Sequence, residues 1–189
     1  TIEKGPSILT LKKSRRSLLR SRFNGGSIVQ VDFVSLEPRV ALSIAEQDSS
    51  GDIYTMIGKS VLGGDVSRDT AKVAIIGSLY GMSPRKLSEV LGNIGPSDSR
   101  AILEKIKEYF KIPSLKRRLK RELKNTGSIR SHYGRIMKLD QDSDHILINR
   151  FIQSTAADAA ILGFSSLMKN LSKLDIFASP VFVIHDALI

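Results

Sequence analysis

The stretch from Arg68 to Gly81, RDTAKVAIIGSLYG, limits most what this chain can build. Its spacing predicts a helix: Arg68, Lys72, Ile76 and Tyr80 recur at i, i+4 and drift only about 40° per step around the axis. Such a stripe carries two cations one turn apart, then an apolar turn, then a phenol. An Arg fork beside a Lys point charge suits a polyphosphate, and the following turns suit a base and a sugar. The same letters fit an ordinary surface helix with a basic start, so the stripe alone leaves both readings open. Gly77 and Gly81 leave its far end bare, where a backbone or a ligand can approach closely.

Composition narrows the partners. The chain has 189 residues, of which 41% are hydrophobic, enough for one sizeable core or two interlocked subdomains. It has no Cys, and its three His are scattered, which excludes disulfides and makes a structural zinc site a poor fit. No apolar run approaches a membrane span and no signal peptide is recognisable, so the expectation is no membrane partner and a cytoplasmic setting, in a bacterial cell or as a viral protein acting in one. The formal charge of +10 favours a polyanion, nucleic acid first, because each neutralised phosphate releases counterions. Solvated Lys and Arg faces are the other reading. The chain starts on Thr and ends on VFVIHDALI, and both ends read as cut.

In chain order, residues 5–22 are dense in Lys and Arg without a clear period, and form a basic surface that is either solvated or set against phosphates. Asn24, Gly25 and Gly26 mark a turn. SIVQVDF alternates as a strand, with Val29, Val31 and Phe33 on one face and Ile28, Gln30 and Asp32 on the other. Ser35 can cap a helix through EPRVALSIAEQ, with Pro38 tolerated in its first turn. DIYTMIGKSVLG is a short helical candidate, and Gly63-Gly64 reads as a turn, not a phosphate loop. Three helices follow: PRKLSEVLG, closed by Gly92; SDSRAILEKIKEYF, with Ile102, Ile106 and Phe110 on one stripe; and IPSLKRRLKRELKN, with Leu115, Leu119 and Leu123 in line. The basic remainder of the third lies along a phosphate backbone or faces water. GSIRSHYGRIMKL reads as a turn and a short strand, NRFIQSTAADAAILGFSSLMKNL as a long helix of small residues, and SPVFVIHDALI as a strand ending at His185 and Asp186.

Taken together, these letters resemble a known family. R-x-x-x-K-x-x-x-x-G-x-x-Y-G over residues 68–81 resembles motif B of family A (DNA polymerase I-like) DNA polymerases, DFVSLEPRV resembles motif A, and VIHDA resembles motif C. RFIQSTAAD is similar to the family's Q-G-T-A-A-D segment, and the run around Gly134 to its T-x-x-G-R-R-R segment. The resemblance implies an α+β fold: a polymerase palm with an antiparallel sheet, and a mostly helical fingers subdomain. The palm would take residues 1–46 and 128–189, the fingers residues 47–127. It implies template-directed DNA synthesis with primer-template DNA and deoxynucleoside triphosphates as partners, and two Mg²⁺ ions, with Mn²⁺ as an alternative.

Residue by residue, the resemblance makes Asp32 and Asp186 the metal-binding carboxylates, with the backbone of Phe33 as a further ligand. Arg68 and Lys72 would hold the triphosphate, Lys72 counting among the catalytic residues, while Ile76 and Tyr80 face base and sugar. Glu37 would be the gate beside the sugar, able to hydrogen-bond to Tyr80, and Tyr54 takes the place of a His that contacts the triphosphate. Arg135, Arg150, Gln153 and His185 would touch DNA, and Lys12, Lys13, Arg15 and Arg16 would approach its backbone. Departures from the pattern are Asp69, Ile75, Ile76, Phe33, Tyr54 and Ala187, the last standing where the family has Glu. The thumb and exonuclease parts are expected on another chain or elsewhere in the same one. A catalytically inactive, basic nucleic-acid-binding module is the alternative, and a single-subunit RNA polymerase a further one that Glu37 disfavours.

Overall fold

Apolar residues at helical spacing collapse into one cluster inside residues 35–158. Leu42, Ile57, Ile75, Leu87, Ile106 and Leu119 are among its fully buried members. The structure is a computed structural model that describes residues 13–63, 66–139, 144–184 and 187–189. It divides into two compact units, residues 35–158 and residues 1–34 with 159–189. Among the described residues it is mostly helical, with a three-stranded and a two-stranded antiparallel sheet, so the α+β expectation holds.

The larger unit opens with α1 (Leu36–Ile44) and α2 (Ile53–Ile57), which runs on into a π turn, Gly58–Leu62. Then come α3 (Arg68–Leu79), α4 (Pro84–Val90), α5 (Pro96–Tyr109) and α6 (Ile112–Thr126). Pro at the first position starts α4 and α5, where a missing N–H costs nothing. The stripes expected on α5 and α6 are the ones buried: Ile106 and Phe110 on one, Leu115 and Leu119 on the other. The basic remainder of α6 is held partly at home, because Lys116 and Lys120 both pair with Asp144. Asp144 lies in the first turn of α7 (Asp144–Lys173), where a negative charge also suits the helix dipole. Hydrogen bonds from Lys116 and then Lys120 hold its carboxyl below the usual range. That link is therefore present at neutral pH and lost as pH falls through the lowered value.

Leu119, with no exposed surface, sits at the centre of this packing. Leu119→Ala should destabilise the larger unit by about 2–5 kcal/mol, through lost burial and a cavity that helices on several sides cannot close. A urea titration followed by circular dichroism checks this, and a midpoint equal to the parent's would show that the site collapses freely.

In the smaller unit, β1 (Val31–Asp32) pairs antiparallel with β5 (Ala187–Leu188), which pairs in turn with β4 (Val183–Ile184). The register sets Val31 opposite Leu188 and Asp32 opposite Ala187. One expectation is corrected here. The alternating run 27–33 forms a ladder only at two residues, because a strand extends only as far as its partner. Ala187 and Leu188 form the strand that returns along β4. Behind β1, the Phe33 ring packs on Phe164 at 5.0 Å between centroids. It also lies over Gly163, where a Cβ would come 2.6 Å from its tip. The small residues of α7 thus let an aromatic ring lie directly on the helix. A 3₁₀ turn, Lys13–Leu18, belongs to this unit as well.

Ser35 does not cap α1 as expected. It stands at the cap position with φ 56° and ψ 44°, and its side chain makes no capping bond. A capping hydroxyl is aimed by an extended backbone, and left-handed backbone turns it away.

Candidate functional site

Ser67 begins α3 by accepting the Thr70 N–H at 3.2 Å. Ala71, Ala74, Ile75, Ser78 and Leu79 then form the buried face. Small residues there permit close packing, since a Cβ on Gly58 would sit 3.3 Å from that of Ala71. The stripe singled out from the sequence lies on the adjoining face. Arg68 and Lys72 are exposed, while Ile76 and Tyr80 are half-buried, with Ile76 packed against the core. The structure therefore brings these four side chains along one side of one helix and keeps the two cations in solvent.

Arg68 is anchored. Its Nε donates to Asp52 Oδ2 at 2.8 Å, and its guanidinium lies 5.5 Å from the Tyr54 ring centroid. Asp52 also accepts the Thr55 hydroxyl at 2.7 Å. The Thr55 bond, and then Arg68, hold the Asp52 carboxyl below the ordinary carboxylate range. Tyr54, expected to reach a triphosphate, is a core residue at 1% exposure, and what it turns toward Arg68 is its ring. Lys72 makes no ion pair among the described residues.

At the far end of the stripe the expected bareness is filled. Gly77 is covered by the Met82 side chain, and Gly81 by His145 of α7: a Cβ on Gly81 would fall 2.6 Å from Nδ1 of that ring. Gly81 also has φ +82°, so both its backbone and its neighbour require glycine. Tyr80 caps α3, and its hydroxyl is buried without a hydrogen-bond partner among the described residues. Tyr80 and Glu37, expected to meet across a closed site, are not hydrogen-bonded here; Glu37 sits half-buried in the first turn of α1. Asn149 Oδ1 is orphaned in the same way. Asn149 is not among the residues expected at a site, although His145, Asn149 and Gln153 recur at i, i+4 and so share one side of the start of α7.

Of the residues expected to touch DNA, Arg135 has its guanidinium on Asp158. Ser131 donates to the same carboxylate at 2.7 Å, and the His132 N–H to Thr155 at 3.1 Å. These bonds tie the hairpin of β2 (Ile129–Arg130) and β3 (Ile136–Met137) to the STAAD segment of α7. Arg150 and Gln153 are exposed on α7, and Arg15 is exposed in the 3₁₀ turn. Lys12, His185 and Asp186 lie outside the described residues, as do the side chains of Lys13 and Arg16.

In the smaller unit Asp32 is exposed at the end of β1, opposite Ala187, which follows Asp186 in the chain. Its carboxylate is a hard oxygen donor of the kind Mg²⁺ takes. Among the described residues, no group of three or more His, Asp or Glu side chains is placed to hold a metal ion. No helix among them is long and apolar enough to cross a membrane.

Comparison with known proteins agrees with the family that the letters resemble. The family model for DNA polymerase family A matches residues 6–189. A DNA polymerase I from Aquifex aeolicus is 25% identical over 203 residues, covering 97% of this chain and 35% of the relative. Among solved structures, the POL domain of Pol1 from M. smegmatis, in complex with DNA primer-template and dNTP, superposes with a TM-score of 0.62 at 18% identity, over 84% of this chain and 32% of that one. This chain spans about a third of the length of either relative. It belongs to DNA polymerase family A.

Proposed function

We propose that this chain carries the palm and fingers of a DNA-directed DNA polymerase, with the fingers at residues 47–127 and the palm on either side. The observation that carries the reading is the register of β1 and β5. It pairs Asp32 with the residue that follows Asp186, although the two acids lie at opposite ends of the sequence. The primer 3′-hydroxyl oxygen would attack the α-phosphorus of a deoxynucleoside triphosphate, losing its proton as the bond to the bridging oxygen breaks and pyrophosphate leaves. Asp32, Asp186 and the Phe33 carbonyl would hold the divalent ions, Mg²⁺ or Mn²⁺, whose contribution when bound is to stabilise the attacking and leaving oxygens. Arg68 and Lys72 would neutralise the triphosphate and the departing pyrophosphate. Primer-template DNA as the partner is supported by the charge of +10 and by the exposed Arg150 and Gln153.

The orphaned Tyr80 hydroxyl fits this scheme. A buried hydroxyl without a partner costs about 1–3 kcal/mol, which a bond to Glu37 formed on closure over a nucleotide would recover. Glu37 would then occupy the space beside the sugar 2′ position. Glu37→Ala should relax rejection of ribonucleotides by about 10–100-fold while slowing deoxynucleotide addition far less. Single-nucleotide incorporation with ribo- and deoxy-substrates on one template measures this, and unchanged rejection removes the gate assignment. Ala187 keeps a second reading open, that of an inactive DNA-binding module. Mg²⁺-dependent incorporation of a template-matched nucleotide by the full-length protein separates the two, since retention of DNA without incorporation is the result that sinks the polymerase reading.

A further inference from the structure

We propose that Asp52 and Tyr54 form a clamp that presents Arg68 to the triphosphate, which makes Asp52 a positioning residue for nucleotide use. This rests on the reading of Arg68 as a triphosphate ligand. A free arginine on a helix surface samples many rotamers, and the part of its binding energy spent on ordering them is lost to the ligand. Arg68 is not free in that sense. Asp52 takes Nε at 2.8 Å, and the Tyr54 ring lies under the guanidinium at 5.5 Å. With Nε engaged, the two terminal nitrogens remain for phosphate oxygens, the end of the fork suited to bidentate contact. The side chain keeps 50% of its surface exposed despite both contacts, so the clamp orients the cation without covering it.

The clamp is itself fixed. Tyr54 is 1% exposed and belongs to the core, so the ring beneath Arg68 does not move independently of the fold. Asp52 is pinned at the start of α2 by the Thr55 hydroxyl at 2.7 Å, on the same oxygen that Arg68 uses. The partners come from two packed elements, α2 and α3, so the arrangement survives only where their packing is intact. Tyr54 thus replaces a contact to the phosphate with support for the residue that makes one.

The test compares steady-state nucleotide incorporation by the full-length protein and its variants on one primer-template, with deoxynucleotide as the varied substrate. Asp52→Asn keeps an acceptor for Thr55 but removes the ion pair. It is expected to raise the nucleotide KM about tenfold with kcat within about twofold, the cost of ordering one long side chain. Asp52→Glu should restore most of the loss, and Thr55→Ala, which removes the pin on Asp52 but not the ion pair, should raise KM by a smaller factor than Asp52→Asn does. In an Arg68→Ala background Asp52→Asn should add nothing, because the clamp acts through that one side chain. An unchanged or lowered KM in Asp52→Asn, alongside a raised KM in Arg68→Ala, overturns the clamp and leaves the triphosphate reading standing. Additive losses in the double variant also overturn it. If Arg68→Ala leaves nucleotide use intact, the clamp and the triphosphate reading fall together.

Discussion

Asp32→Asn and Asp186→Asn, each made in the full-length protein, are expected to lower primer extension by on the order of a thousandfold or more while leaving DNA retention nearly unchanged. The asymmetry follows from what each carboxylate does in the proposed scheme. A charge placed where the attacking oxygen develops its own charge is felt in the transition state, so its removal is felt in kcat. Binding of the duplex draws on many separate phosphate contacts, which one distant acid hardly alters. Asp32 is suited to such a test because it is exposed at a strand end and supports no core packing. Its replacement by Asn should leave the β1–β5 pairing, a backbone interaction, as it is. Single-turnover extension and a filter-retention measurement on the same preparations decide the matter. Near-parental extension by either variant would remove the two-carboxylate assignment.

Lys72→Ala is expected to lower the efficiency of nucleotide use by about 100–1,000-fold, with primer-template affinity within about threefold of the parent. Lys72 stands one turn beyond Arg68, exposed, and pairs with no carboxylate among the described residues, so its whole charge faces outward. Arg68 shares its charge with Asp52, which makes Lys72 the stronger source of field of the two. If α3 instead lay along the duplex, the same substitution would weaken DNA binding generally and reduce the slope of log affinity against log salt by about one. Affinity titrations at several salt concentrations, run beside incorporation kinetics, tell these outcomes apart. A lost salt slope with normal nucleotide kinetics would turn the helix into a DNA-contacting surface.

Much of α3 is legible from its letters alone. The period-four spacing of Arg68, Lys72, Ile76 and Tyr80 is a local signal, and the helix it predicts forms over Arg68–Leu79. The stripes of α5 and α6 are legible for the same reason, because burial of one face is written in residues three and four apart. The motif letters around Asp32, Lys72 and Asp186 likewise point to the family without help from coordinates. Sequence by itself thus determined where these helices run and the family.

What it did not determine depends on residues far apart in the chain. Strand pairing has no local signature for length, so the run 27–33 reads as a full strand while its partner supports only Val31 and Asp32. Ser35 carries the right letter for a cap, but the turn from β1 into α1 sets its backbone in the left-handed region and removes the capping bond. Tyr54 reads as a polar hand toward a phosphate, and packing of α2 against α3 buries it with its ring beneath Arg68. The bareness expected at Gly81 vanishes because the ring of His145 comes to rest there. In each case the periodicity of a short segment is fixed by its own residues, whereas a partner, a register or a filled space is fixed by chain that returns from elsewhere, and only the tertiary structure brings that chain back.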